Sequence, residues 1–190
     1  MTSKINIIGI SGTNGSGKDT AAHILSRRLN YQFVSFGDIL RQTLIEQKIE
    51  PIRRNTRKLS SSLEHQFGSG VLVDMALNKF KPSSYDGLIV ASVRNEGEAQ
   101  RIKDLDGKII WMDADISVRY GRIHNNVFRK RNDDNLSFDE FKKQEDEELT
   151  ITPTNDNMNL MAVQPFCEIK IYNDGGLDDL EQKLAEYFPV

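Results

Sequence analysis

The 190-residue chain holds one cysteine, one tryptophan and five prolines. A lone thiol, Cys167, cannot close a disulfide within the chain, which excludes a disulfide-stapled scaffold and predicts a reducing, cytoplasmic setting. His23, His65 and His124 stand far apart with no second ligand at metal spacing, so no zinc site is expected. No apolar run approaches the roughly 20 residues of a spanning helix, so no membrane is expected as a partner. The segment from Met1 to Ile10 has one lysine and a short apolar run broken by glycine, the wrong shape for a signal peptide. An excess of either charge is also lacking. The net charge is −3 and the pI is near 5.7, so the counterion-displacing surface of a general nucleic-acid binder is absent. Fixed-period repeats and low-complexity tracts are missing too.

What remains is an ordinary folding composition, with 38% hydrophobic and 28% charged residues. Short β-branched runs read as strands at Ile5–Ile10, Tyr31–Ser35, Gly87–Ser92, Lys108–Met112 and Cys167–Tyr172. Helical stretches are predicted at Lys18–Leu29, Gly37–Lys48, Asn55–Phe67, Val71–Phe80, Ser117–Phe128, Phe138–Leu149 and Leu177–Tyr187. Residues 129–137 read as a charged loop, and residues 150–164 as irregular or weakly helical. Strands alternating with helices predict an α/β domain of three layers, about five parallel strands with helices on both faces. Helical insertions near 50–80 and 129–150 interrupt it.

The sharpest motif is Gly12-Thr13-Asn14-Gly15-Ser16-Gly17-Lys18, between the first strand and the first helix. Glycines allow a tight turn whose backbone N–H groups converge on phosphate oxygens, and the helix N-terminus adds its positive end. Lys18 supplies a charge for the β- and γ-phosphates, which predicts ATP as ligand, with Mg2+. The common pattern continues with Ser or Thr to place a hydroxyl on magnesium. Here Asp19 and then Thr20 follow. Asp19 is either a carboxylate ligand for the metal or an acid favoured by the helix dipole.

The second strand runs into Phe36-Gly37-Asp38-Ile39-Leu40-Arg41, where Asp38 also reads as a helix cap. The third ends Val90-Ala91-Ser92-Val93-Arg94, so Arg94 is expected at the carboxyl edge of the sheet, where ligands of open α/β sheets bind. The fourth ends in Asp113-Ala114-Asp115, with Asp113 read as a turn former and Asp115 as a helix cap. Arg119 and Arg122 share a helix face, and Arg129, Lys130 and Arg131 follow. The acidic stretch Asp139–Glu148 reads as a solvated helix face. Cys167 reads as a small buried residue. Asn173-Asp174-Gly175-Gly176 forms the last turn.

The motifs at 12–20, 37–41 and 119–131, and the order of elements along nearly the whole chain, resemble the P-loop nucleoside monophosphate kinases, above all small adenylate kinase-related enzymes. Dephospho-CoA kinases share the phosphate loop and the style of the final turn. The Gly-Lys-Asp-Thr variant also occurs in phage-type deoxynucleoside monophosphate kinases. The resemblance implies one P-loop kinase domain over residues 1–190. Its core would be 1–50, 83–128 and 165–190, with an acceptor-binding insertion at about 51–82 and a lid at about 129–150. It implies that Arg41, Arg94 and Asp38 meet the acceptor, that Arg129 and Arg131 act from the lid, and that Arg122 and Asn173 lie on the ATP side. It also implies an acid near Ala91, so that Asp19 reads as that acid relocated. Phosphoryl transfer to a nucleoside or deoxynucleoside monophosphate is the expected function. Transfer to a ribose hydroxyl, with Asp38 as base, and an ATP-binding regulatory module or slow ATPase are the alternatives. Small-molecule nucleotides are the expected partners, and monomer and homodimer are both open.

Overall fold

A computed structural model describes residues 5–125, 136–149 and 159–189. Five parallel strands form one sheet in the order β2-β3-β1-β4-β5. They are β1 (Asn6–Gly12), β2 (Tyr31–Ser35), β3 (Gly87–Val93), β4 (Lys108–Asp113) and β5 (Ile169–Tyr172). From β1 the chain crosses to the outer strand β2, returns to β3 beside β1, and then passes to β1's other side as β4. The connection reverses direction at β1, which opens a crevice beyond the carboxyl ends of the central strands.

Alternation along the strands builds two cores. Ile7, Leu88, Val90 and Ile109 face one side; Ile8, Ile10, Ile89, Ile110 and Met112 face the other. The second side is covered by α1 (Lys18–Leu29) and α9 (Leu177–Tyr187), through Ala21, Ala22, Ile24, Leu25, Leu180 and Leu184. The first is covered by α2 (Phe36–Glu46), α4 (Val71–Lys79) and α5 (Glu96–Asp104), through Phe36, Ile39, Leu40, Leu72, Val73, Ala76, Ala99 and Ile102. This is the expected three-layer α/β P-loop fold. The remaining helices are α3 (Arg53–Phe67), α6 (Ile116–His124), α7 (Phe138–Leu149) and the single turn α8 (Leu160–Val163), which a short 3-10 turn follows.

Helix α5 departs from the sequence expectation, which placed no element between β3 and β4. Few of its residues are apolar, and the helix is secured at its start. Asn95 caps it by accepting from Glu98 N at 2.8 Å, and the Glu98 side chain reaches back to the Asn95 backbone. That reciprocal capping box satisfies donors a helix N-terminus leaves open. Asp38 does not cap α2: the helix starts at Phe36, and Ser35 leads into it without a side-chain cap. Asp38 instead pairs with Arg41 one turn on. Asp115 caps α6 as expected, accepting from Ser117 N at 2.8 Å. Cys167 packs against the first core, half-buried, and burial pushes its thiol up to about 12, which keeps it protonated and unreactive.

Candidate active site

The loop between β1 and α1 is held by its carbonyls. Lys18 Nζ and Ser16 Oγ both donate to Thr13 O, the latter at 2.8 Å. Arg119 Nη1 donates to Asn14 O at 3.2 Å, and Asn173 Nδ2 to Ser16 O at 2.8 Å. All peptides here are trans. The N–H groups of Asn14, Gly15 and Gly17 therefore point the opposite way from these anchored carbonyls, which is how a loop comes to cradle an anion. Two glycines are obligatory for close approach. A Cβ on Gly12, at φ 127°, would lie 1.9 Å from Met112 O, and one on Gly17, at φ 94°, would lie 2.6 Å from Asn173 Nδ2.

Asp113 does more than shape a turn. Its Oδ1 accepts from Thr13 Oγ1 at 2.7 Å and from Ala114 N at 2.9 Å, so the end of β4 fixes the start of the loop. Arg122 donates to Asn173 O at 2.7 Å and to Gly175 O at 2.8 Å, tying α6 to the β5–α9 turn. Arg122, Asn173 and the loop thus come together as one assembly.

Arg94 stands on a braced corner. The β1–β3 register slips between Ile10 and Ser11, so Ser92 bulges with φ 73°, and Ser11 Oγ donates to Val93 O at 2.7 Å. Beyond the bulge, Arg94 N donates to Glu98 Oε2 at 2.6 Å, and Arg94 O accepts from Asn159 N at 2.9 Å. Burial pulls the half-buried guanidinium below its ordinary value. Glu98, Glu145 and Asp19 oppose that shift, and Arg57 of α3 adds to it. These charges therefore converge from α1, α3, α5 and α7 on the end of β3. Arg41 lies apart, on α2, engaged with Asp38 at a more exposed position. Arg129 and Arg131 lie outside the described residues.

The acidic helix α7 is not simply a solvated face. Asp139, Glu140 and Asp146 are exposed, but Phe141 and Glu145, one turn apart, are buried. Glu145 forms an ion pair with Arg119, which is itself 7% exposed. Reading residues alone missed this pair and missed Arg57. Arg53 and Arg57, four apart on α3, were the available signal for the latter. Arg53 Nη1 reaches Gln144 of α7 at 3.2 Å.

The oxygen donors at the loop's end suit magnesium in a limited way. Asp19 is exposed in the first turn of α1, beside Thr20, and its charge reaches Arg94. Ala91 is fully buried within the α1-side core, so the end of β3 offers no carboxylate. Among the described residues no three acids or histidines cluster as a metal cage. Magnesium bound through one carboxylate plus substrate phosphates and water needs no such cage.

Glu98 gives a test of this corner. Burial, joined by the charge of Glu64, pushes its carboxyl up to about 8 against the bonds from Arg94 and Asn95. A carboxyl raised in the fold adds stability that is complete below its ordinary value of 4.5 and lost as pH rises to about 8. Urea melts across this window should show stability falling more steeply for the wild type than for Glu98→Gln. Parallel curves would contradict the assignment.

With this geometry in hand, the relatives are informative. A family described as an AAA domain matches residues 8–150. The chain belongs to that family. It is also 29% identical over 185 residues to a UPF0200 protein of Pyrobaculum aerophilum, covering 96% of each chain. A protein of Thermococcus onnurineus called a putative adenylate kinase is 32% identical over 99 residues, 51% of this chain and 54% of that one. In fold, the chain is similar to the crystal structure of shikimate kinase from Bacteroides thetaiotaomicron, with a TM-score of 0.61, 12% identity and coverage of 97% and 99%. Family and relatives together set this AAA-domain protein among the small P-loop kinases. None of its described helices is long and apolar enough to cross a membrane.

Proposed function

We propose that this P-loop kinase transfers the γ-phosphoryl of ATP to the phosphate of a nucleoside or deoxynucleoside monophosphate. The observation that carries the reading is the placing of Arg94 on a braced corner, with the like charge of Arg57 brought toward it. Assembling two guanidiniums is unfavourable for an apoprotein and useful for gripping a dianion. A phosphate acceptor is already anionic and needs positioning rather than a strong base. The hydroxyl-acceptor alternative would use Asp38 as base, and Asp38 is engaged by Arg41.

In this reading the loop from Gly12 to Lys18 binds the ATP phosphates, and Arg122 with Asn173 supports the donor side. Arg94 and Arg57 hold the acceptor phosphate, with Asp38 and Arg41 further out. Asp19 would hold magnesium, which when bound supplies charge neutralisation between phosphates. Lys18 stabilises charge on the transferring group.

The direct test is a screen of nucleoside monophosphates and dephospho-CoA with ATP and magnesium, counting ADP against free phosphate. ADP formed in excess of phosphate with a nucleoside monophosphate supports the reading. Equal amounts with every acceptor would make the protein an ATPase. With the best acceptor, Arg94→Lys should raise the acceptor KM about tenfold, worth roughly 1.4 kcal/mol, and leave the KM for ATP unchanged. A change confined to the ATP KM would move Arg94 to the donor side.

A further inference from the structure

Arg119 is placed where three parts of the site meet. Its Nε donates to Ala114 O at 2.9 Å, and its Nη1 serves both Asn14 O in the phosphate loop and the Glu145 carboxylate. The ring of Phe141 lies 5.7 Å from the guanidinium carbon. Glu145 is 6% exposed, so its carboxylate has left water to sit here. It also acts electrostatically on Arg94, on the other side of the crevice. The only described acid of α7 to be buried thus lies between the arginine behind the loop and the arginine at the end of β3.

We propose that the Glu145 carboxylate holds the place of a nucleotide phosphate beside the loop, and that nucleotide binding expels it and releases α7 from α6. The two anions compete for the same donor, Arg119 Nη1, and repel one another at close range. The pairing keeps the arginines neutralised while the site waits, and it sets a threshold that a ligand's phosphate must overcome. The proposal rests on the reading that phosphates bind at this loop, and it assigns α7 a role in that site.

Calorimetric titration of ADP into the full-length wild type and Glu145→Gln tests it. The glutamine keeps the shape and removes the competing charge. The variant should bind ADP about tenfold more tightly, the equivalent of roughly 1.4 kcal/mol. Amide hydrogen exchange on the wild type adds a measurement that needs no variant: ADP should speed exchange across Phe141–Leu149. Equal or weaker ADP binding by Glu145→Gln would overturn the proposal, as would exchange in α7 that slows or stays the same. If neither protein binds ADP, the phosphate-site reading fails and takes this proposal with it. Wild-type binding without a gain in the variant sinks this proposal alone.

Discussion

Lys18→Ala is expected to lower phosphoryl transfer by about 10²-fold or more while leaving the fold intact. The ammonium rests on Thr13 O, inside the loop it serves. Its stem contributes nothing to either core, and removing it buries no unpaired charge. Ground-state binding of ATP should weaken far less than the rate, because backbone N–H groups and the α1 terminus still hold the phosphates. The lysine's contribution grows as charge develops on the transferring group. The measurement is kcat with the best acceptor, beside a thermal melt of the same preparation. Near-normal turnover in a folded variant would sink the kinase assignment.

The phosphate loop was legible because its residues are contiguous and the chemistry dictates their types. Gly12, Gly17 and Lys18 stand where the motif required, and α1 begins at Lys18 as read. The strands were legible because both faces of the sheet are covered, so β1, β3 and β4 are nearly unbroken apolar runs. Helix α5 was not. Only Ala99 and Ile102 of its residues join the core, so the stretch lacks a strong apolar period, and its evidence is the Asn95–Glu98 capping box. The acceptor side was half legible. Arg94 follows a strand, and strand ends position ligands. Arg57 sits 37 residues earlier in a helix whose orientation no spacing reveals. Glu145 was hidden by its company, since a row of acids predicts a wet surface. Nothing local marks the one that finds Arg119, 26 residues away.

That same pair carries the largest stability effect expected here. Arg119→Met should destabilise the protein by about 3–5 kcal/mol, because it strands the Glu145 carboxylate in a buried site. Glu145→Met should be similarly harmful, leaving the Arg119 guanidinium at 7% exposure with Asp113 Oδ1, 3.7 Å away, as its nearest remaining acid. The double variant should behave differently. Two methionines fill much of the same volume beside Phe141, and no charge remains to be desolvated, so its stability should return close to that of the wild type. What the double cannot restore is the pair of donors to Ala114 O and Asn14 O, each worth about 1 kcal/mol net. Urea melts of the three variants and the wild type close the cycle. Strong non-additivity is the signature of two buried charges sharing one partner. Single variants that each lose less than about 1 kcal/mol, as exposed pairs do, would mean that Glu145 spends its time in water.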